Sequence, residues 1–249
     1  MVTILAALEA GIINHREKIK CNGYVEVSNR KFHCWKRDGH GSVDLVKSLR
    51  ESCDVYYYEL AQQVGIEKIA EVARILGLGQ SFDIQMSAVT SGIVPDKLWK
   101  LNARSREWVV GDTVNTSIGQ GYVLSSPLQL AVMIARIATG NEISPKLIKS
   151  INGVEADKEP HQLNVNKNNL NLIRKALFEV TNDKRGTAYD SRVLDKNSQI
   201  IGKSGTSQVR NISAVERTLG VLENKDLPWE QRDHALFVNY APYDDPKIA

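Results

Sequence analysis

Residues 198–206 read Ser-Gln-Ile-Ile-Gly-Lys-Ser-Gly-Thr, an apolar strand pattern at 198–202 that runs into Lys203-Ser204-Gly205-Thr206. Neighbouring side chains on a strand point to opposite faces, so Lys203 and Ser204 reach different sides, and Gly205 lets a ligand backbone approach closely. Such a strand can pair with an extended peptide and offer backbone N–H groups to a developing oxyanion. The alternative is a solvated strand end followed by a turn.

Other strands are predicted on both sides of this segment. His234–Tyr240 has the apolar composition of a further strand. Residues 20–36 alternate as a β-hairpin around the turn Ser28-Asn29-Arg30, and strands are also expected near 143–151.

Most of the chain before the 198–202 strand has helical periodicity instead. Residues 81–106 and 211–232 have no clear period and are expected to be irregular. Helices first and strands later predict an α+β fold with one domain over 1–249. The helices are predicted at 2–10, in a run opened by Ser42 as its N-cap, and at 54–64, 66–76, 127–138 and 166–182.

Composition and charge exclude several classes of protein. The 249 residues carry a net charge of +3, which is too small to favour nucleic acid or a membrane surface as partner. No stretch approaches the roughly 18 apolar residues that span a bilayer. The N-terminus lacks the basic flank and polar cleavage end of an export signal, so we expect neither signal nor membrane span in these residues.

A second polar cluster, Ser52-Cys53-Asp54, precedes the predicted helix at 54–64. A Ser and an Asp two apart at a helix start are typical of an N-cap, which is one interpretation. A second interpretation rests on the order of the two clusters, Ser52-Cys53-Asp54 and then Lys203-Ser204-Gly205. Serine acyl-transferases carry a Ser-x-Asn or Ser-x-Asp motif before a Lys-Ser/Thr-Gly motif.

Together these motifs resemble the transpeptidase domain of the penicillin-binding proteins, which cross-link peptidoglycan. The resemblance covers essentially the whole chain. Within the family, the sequence is most similar to class B and to its penicillin-binding protein 2 branch. It is carried by further runs: Asn115-Thr116-Ser117-Ile118-Gly119-Gln120-Gly121, Ser126-Pro127-Leu128-Gln129-Leu130-Ala131, Phe32-His33-Cys34-Trp35-Lys36-Arg37, Gly39-His40-Gly41, His234-Ala235-Leu236-Phe237-Val238 and Tyr240-Ala241-Pro242-Tyr243.

The resemblance implies a fold and a set of roles. The fold is a helical subdomain plus an antiparallel sheet flanked by helices, as in the serine β-lactamases. Lys203 and Ser204 hold the carboxylate of the substrate or a β-lactam, Gly205 belongs to the substrate-binding residues, and the Thr206 N–H forms half of the oxyanion hole. Ser52 passes a proton toward the leaving group, and Asp54 contacts the substrate amide or the catalytic lysine. No cofactor is needed for this chemistry.

The nucleophile motif of that family, Ser-x-x-Lys, is expected just before the helix at 2–10. The sole match within the chain is Ser28-Asn29-Arg30-Lys31. It lies in a polar turn, where Lys31 stays protonated and cannot act as a base, so we expect Ser28 to be an ordinary turn residue. We therefore expect the nucleophile motif to be missing and the isolated chain to be inactive. The resemblance also implies a final strand and a C-terminal helix that we do not find, so we expect the domain to be truncated at both ends.

Cys21, Cys34, His40 and Cys53 follow the spacing C-x12-C-x5-H-x12-C. Three thiolates and an imidazole form a closed structural zinc set, although no tight Cys-x-x-Cys pair is present. Cys21 and Cys34 lie on opposite strands of the predicted hairpin, and Cys53 is the central residue of the Ser52 motif. The alternatives are a Cys21–Cys34 disulfide with Cys53 free, or three unlinked thiols.

Two functions remain open at this point. The first is a D,D-transpeptidase that forms a serine acyl-enzyme with peptidoglycan stem peptides and is acylated by β-lactams. The resemblance then implies the periplasmic face of the inner membrane for the intact protein, with a glycosyltransferase and a rod-shape complex as partners and no nucleic acid. The second is a non-catalytic remnant or partner-binding module with a structural zinc site.

Overall fold

The computed structural model describes residues 1–14, 16–86, 89–155, 160–210 and 214–249. They form an α+β fold, as predicted. The helices are α1 Val2–Glu9, α2 Leu45–Arg50, α3 Asp54–Val64, α4 Ile66–Ile75, α5 Lys97–Arg104, α6 Val110–Ser117, α7 Pro127–Thr139, α8 Lys167–Asn182 and α9 Ala214–Leu219. The strands are β1 Ile19–Cys21, β2 Tyr24–Val27, β3 Arg30–His33, β4 Gly41–Val43, β5 Ser150–Ile151, β6 Val154–Glu155, β7 Ile201–Ser207 and β8 His234–Tyr240.

Helix α1 lies at the centre of the helical part. Its sequence is apolar nearly all round, and such a helix is buried on every side. Ile4 and Leu5 are fully buried, and α1 packs against α3, α4 and α8. One continuous hydrophobic core runs from α1 through these helices to Ile201 and Tyr240 on the sheet.

The strands before α2 form two small antiparallel pairs, β1 with β4 and β2 with β3. The β2–β3 turn contains Ser28 and Asn29, which both have positive φ, as tight hairpin turns of this kind require. The predicted hairpin is therefore confirmed over residues 24–33 only. Cys21, predicted to lie on it opposite Cys34, is instead on β1 opposite Gly41 of β4, because residues 19–21 pair with β4. Between β1 and β2, Gly23 lies so close to the loop before β4 that a Cβ on it would be 1.9 Å from the Arg37 carbonyl oxygen.

The prediction of Ser42 as a helix N-cap is wrong. Ser42 lies on β4 opposite Lys20. The helix begins after Asp44, whose carboxylate accepts a hydrogen bond from the Lys47 N–H at 2.9 Å. Asp and Ser are comparable N-caps, so local preference did not separate them, and strand pairing decided between them.

Two segments expected to be irregular contain short helices. Within 81–106, α5 begins after Asp96, which caps it through the Trp99 N–H, and a buried Lys100–Asp112 ion pair joins α5 to the following α6. Within 211–232, the described residues include α9. Of the strands expected near 143–151, only β5 forms, paired with β6. These elements are short, so each offers too few positions for an apolar period to stand out in the sequence.

The predictions for α7 and α8 are confirmed. Ser126 and Gln129 form a reciprocal capping box at the start of α7, Pro127 occupies its first turn, and Gly140 ends it in the left-handed conformation. Both helices pack against the β7–β8 pair, α8 on β7 and α7 on β8.

Strands β7 and β8 pair antiparallel, with Lys203 opposite Val238 and Thr206 opposite Ala235. Strand β7 starts later than predicted, because residues Lys196–Ser198 form a 3₁₀ turn. Among the described residues, β7 pairs with β8 alone, so its other edge is open. None of the helices in the described residues has the length and apolar character of a membrane span.

Candidate active site

Ser52 lies at the junction between α2 and α3 in the left-handed conformation, with φ of +52°. For a residue other than glycine this backbone costs about 1–2 kcal/mol, so surrounding contacts must hold it. The Trp35 indole N–H donates to the Ser52 carbonyl oxygen at 2.9 Å and to that of Glu51 at 3.2 Å. The Ser52 N–H donates to the Leu49 carbonyl at 3.3 Å.

The N-cap interpretation of Ser52-Cys53-Asp54 is not supported. Cys53 occupies the cap position of α3 and makes no side-chain cap bond. The Ser52 hydroxyl instead accepts a hydrogen bond from the Lys203 ammonium, with 2.9 Å between Nζ and Oγ. The fold thus brings together the two motif residues, which are 151 positions apart in sequence.

Lys203 is held by β7 in a largely desolvated position. Its Nζ also donates to the Ser204 carbonyl oxygen at 2.7 Å. Burial disfavours the ammonium form and lowers the pKa of Lys203 from 10.5 to about 8, although the nearby Asp54 charge opposes this shift. A lysine with this pKa can exchange a proton near neutral pH.

Asp54, in the first turn of α3, accepts a hydrogen bond from the Trp35 backbone N–H at 2.9 Å. Burial is the main reason that the pKa of Asp54 is raised from 3.8 to about 7, and the Cys34 thiolate adds to it. Lys203 acts in the opposite direction through its charge. Asp54 and Lys203 therefore belong to one electrostatic group around Ser52.

The open edge of β7 carries backbone groups suited to an extended ligand. The Ser204 carbonyl points to this edge, since it accepts from Lys203, and the Thr206 carbonyl accepts from Gln120 Nε2 at 2.9 Å. The N–H and C=O of one strand residue point to the same side, so the Thr206 N–H faces the same edge. A Cβ on Gly205 would meet no atom of the described residues closer than 4.0 Å, so their packing does not demand a glycine there.

The start of α1 lies at the same place. The backbone nitrogen of Met1 is buried and lies within electrostatic range of Lys203. The site is therefore bordered by Met1 at the N-cap of α1, by the α2–α3 junction and by β7.

Ser28 lies in the exposed β2–β3 turn, as predicted. A nucleophilic Ser28 would need the neutral amine of Lys31 as its base, and Lys31 Nζ lies 4.6 Å from the centre of the Tyr24 ring. Both Ser28 and Lys31 are exposed, so nothing desolvates that lysine.

The four predicted metal ligands form one buried cluster. The Sγ atoms of Cys21, Cys34 and Cys53 and a ring nitrogen of His40 all lie within 4.8 Å of one another. His40 Nδ1 is 3.7 Å from Cys21 Sγ and 3.5 Å from Cys34 Sγ. All three cysteines are free thiols, so the structure does not contain the alternative Cys21–Cys34 disulfide.

Charge within this cluster favours a thiolate. A hydrogen bond from the Cys53 thiol lowers the pKa of Cys34, and this coupling raises the pKa of Cys53. His40 Nε2 is buried and has no hydrogen-bond partner among the described residues.

Two residues at the site were missed by sequence reasoning. Trp35 was noted only as part of a longer run, and Thr187, whose hydroxyl lies 2.7 Å from that of Ser204, was not singled out. Both lie outside helices and strands, so no periodicity marks them. The position of Trp35 directly after Cys34 was the one available signal.

Comparisons with known proteins place this geometry in context. The family model described as the penicillin binding protein transpeptidase domain matches residues 1–249. The curated relatives include proteins named peptidoglycan D,D-transpeptidase MrdA. The one from Acinetobacter baumannii is 32% identical to this chain, over 98% of this chain and 37% of the relative. The Escherichia coli K12 relative of the same name is 29% identical, over 98% of this chain and 39% of the relative. The chain thus spans well under half of their length.

Solved structures agree in fold. Penicillin-binding protein 2 of Helicobacter pylori, solved in complex with MreC, is 34% identical with a TM-score of 0.84, over 99% of this chain and 43% of that one. Pseudomonas aeruginosa PBP2, solved in complex with WCK 5153, is 32% identical with a TM-score of 0.84, over 99% of this chain and 52% of that one. The chain belongs to the penicillin-binding protein transpeptidase family.

Proposed function

We propose that residues 1–249 form the domain of a peptidoglycan D,D-transpeptidase that binds the acyl-D-Ala-D-Ala end of a stem peptide. The observation that carries this proposal is the hydrogen bond between Lys203 Nζ and Ser52 Oγ at 2.9 Å. It joins the second and third motifs of the family at a largely desolvated lysine. The alternative of a non-catalytic partner-binding module is not favoured by the family match.

The substrate carboxylate binds beside Lys203 in this proposal. An ammonium attracts a carboxylate most strongly in a desolvated site, and the hydroxyls of Ser204 and Thr206 add hydrogen-bond donors. The peptide backbone lies along the open edge of β7, where Gly205 lets it approach. To occupy that edge the ligand displaces Gln120, whose amide now donates to the Thr206 carbonyl.

The proposed acyl transfer uses the remaining groups in turn. A serine nucleophile supplied by the family's Ser-x-x-Lys motif attacks the carbonyl of the penultimate D-Ala, and the peptide bond to the terminal D-Ala breaks as the acyl-enzyme forms. The Thr206 N–H stabilises the oxyanion. Ser52, hydrogen-bonded to Lys203, passes a proton to the leaving amine, and the charge of Asp54 tunes Lys203. A β-lactam binds the same groups because its carboxylate and amide resemble those of the dipeptide.

The proposal is tested by titrating an N-acetylated peptide ending in D-Ala-D-Ala into the ¹⁵N-labelled chain at millimolar concentration. We expect saturable chemical-shift changes at Lys203–Thr206 and Ser52, and none from the peptide ending in L-Ala-L-Ala. Lys203→Met weakens binding by about 10- to 100-fold, the range for a lost charge-assisted hydrogen bond. Lys167→Met, at an exposed position on α8, serves as the control. Equal shifts with both peptides would contradict the proposal.

We propose in addition that Cys21, Cys34, His40 and Cys53 bind a structural zinc ion. The donor set fits, because three clustered sulfurs and an imidazole are ligands that Zn²⁺ prefers, all are buried, and the Cys34 pKa already favours a thiolate. Held by these four residues, an ion would cross-link the β1–β4 and β2–β3 pairs to the α2–α3 junction. Cys53 lies between Ser52 and Asp54, so this cross-link also fixes the motif.

The cellular setting of the intact protein is also a proposal. We infer that it acts at the periplasmic face of the inner membrane in cell-wall synthesis that determines cell shape, as a partner of the rod-shape complex and a glycosyltransferase. The Helicobacter pylori relative solved with MreC supports the rod-shape partner. Co-purification of the intact protein with MreC from crosslinked cells tests this, and recovery with cytoplasmic proteins alone would contradict it.

A further inference from the structure

The loop that follows α8 reaches into the candidate site through Thr187. The Thr187 Oγ1 atom lies 2.7 Å from Ser204 Oγ, a hydrogen bond in which either hydroxyl can donate. Thr187 is exposed on the open side of the site, whereas α8 itself is packed into the core. None of the motifs that carry the family resemblance contains this residue.

The backbone around Thr187 is fixed by two helices. The Thr187 N–H donates to the Arg50 carbonyl at the end of α2 at 3.1 Å, and the Ala188 N–H donates to the Val180 carbonyl of α8 at 3.1 Å. A Cβ on Gly186 would lie 2.2 Å from the Val180 carbonyl oxygen, so only glycine allows this close turn.

Arg50 ties the same helices together through its side chain. Its guanidinium is mostly buried and donates to Glu179 of α8 at 2.7 Å and to Glu51 at 2.9 Å. Arg50 lies two residues before Ser52. Thr187 is therefore bonded through its backbone to the helix that leads into Ser52 and through its hydroxyl to the strand residue next to Lys203.

Proton counting decides the direction of the Thr187–Ser204 hydrogen bond when a carboxylate is bound. A hydroxyl has one proton to donate and two lone pairs, whereas a carboxylate only accepts. When Ser204 donates to the carboxylate, its proton is used, so Thr187 must be the donor in the bond between the two hydroxyls. A valine at 187 would leave the Ser204 hydroxyl without this donor and free to rotate away.

We propose that Thr187 is a positioning residue for carboxylate recognition, which orients the Ser204 hydroxyl toward the C-terminal carboxylate of the substrate. The inference rests on the proposed function, since it requires a ligand with a free carboxylate at Ser204. It adds to that function a hydroxyl relay from Thr187 through Ser204 to the ligand. Through this relay, the loop after α8 also helps the site to distinguish a free C-terminal carboxylate from an internal peptide bond.

The test compares the D-Ala-D-Ala peptide with the same peptide ending in a carboxamide, by the NMR titration described above. Thr187→Val is expected to weaken binding of the free-acid peptide about fivefold to tenfold, and Thr187→Ser to restore it. Binding of the carboxamide peptide, already weak, is expected to stay unchanged in Thr187→Val. Thr139→Val, an exposed Thr at the end of α7, is the matched control.

The outcomes separate this inference from the proposed function. If the wild-type chain fails to prefer the D,D free acid, the proposed function itself is wrong. If the wild type binds it and Thr187→Val binds equally well, the relay is contradicted while the function stands. An equal loss for acid and carboxamide peptides in Thr187→Val would show a structural role instead, and would overturn the positioning role. The amide spectrum of each variant reports directly whether the fold is retained.

Discussion

The candidate active site and the Cys–His cluster are adjacent in space but are assembled in opposite ways. Ser52 and Lys203 meet across 151 positions, through the α2–α3 junction and β7. The cluster draws all its ligands from residues 21–53, within two small strand pairs and one helix start. Trp35 contacts both, because its indole donates to Ser52 and its ring packs against His40 with 5.5 Å between ring centres. A local cluster thus supports one half of a site whose other half comes from the distant sheet.

This difference explains what sequence reasoning reached. The strands β7 and β8 and the helices α3, α7 and α8 were predictable, because each has a clear apolar pattern or strong caps. The Lys203–Ser52 contact depends on tertiary packing and was reached only through the family resemblance. For the cluster, residue types and spacing identified the four candidate ligands, but they left a zinc site, a disulfide and free thiols as alternatives. The structure contains no Cys21–Cys34 disulfide.

Other features had no local signal at all. The left-handed backbone of Ser52 is held by Trp35 and Lys203, which are distant from it in sequence. The helix start at Asp44 rather than Ser42 followed from the pairing of β4 with β1. Thr187 gains its place from carbonyls of α2 and α8, which no sequence pattern connects.

Metal removal is expected to change the stability of the chain more than any other treatment. It also distinguishes the Cys–His cluster from the candidate active site most clearly. Prolonged chelation of the purified chain, or Cys34→Ser, should remove one equivalent of zinc and lower the melting temperature by at least about 5 °C. A buried structural metal contributes several kcal/mol, and each kcal/mol shifts the melting temperature of a domain this size by about 2–4 °C. Elemental analysis and thermal unfolding measure this. A metal-free preparation with an unchanged melting temperature after chelation would contradict the zinc proposal.

The pH dependence of stability is the next largest effect and probes the Lys203 side of the comparison. Between about pH 8 and 10.5 the unfolded chain holds a proton on Lys203 that the folded chain has released, so the free energy of unfolding rises with pH across this window. The free energy of unfolding gains at most about 3 to 4 kcal/mol, since the pKa differs by about 2.5 units between the two states and one unit corresponds to about 1.4 kcal/mol. Urea unfolding of wild type and Lys203→Met should diverge over this range. Parallel curves would show that Lys203 is not desolvated.

Breaking the link between the two regions has a smaller effect. Trp35→Phe keeps the ring near His40 and removes the indole N–H that holds Ser52. We expect a loss of about 1 kcal/mol in stability, the value of an ordinary hydrogen bond, and several-fold weaker binding of the D,D-peptide with zinc content unchanged. Trp229→Phe, at an exposed tryptophan, is the control. Loss of zinc in Trp35→Phe would mean that the cluster depends on the indole.

The smallest expected effect belongs to Ser28. The isolated 249-residue chain is expected to show no covalent label from a fluorescent penicillin, because Ser28 and Lys31 lie in an exposed turn. Ser28→Ala should change stability by less than about 0.5 kcal/mol, as surface substitutions generally do. Gel fluorescence after denaturation measures the label. A label that disappears in Ser28→Ala would make Ser28 a nucleophile after all.

The central claim is that β7 holds Lys203 desolvated against Ser52. The most direct test is to titrate the Lys203 side chain itself by following its ¹³Cε and ¹⁵Nζ resonances in the folded chain, assigned with Lys203→Arg. The predicted pKa is about 8, and the resonances should respond to Ser52→Ala because that hydroxyl bonds to Nζ. A pKa near 10.5, with no response to Ser52→Ala, would contradict the account.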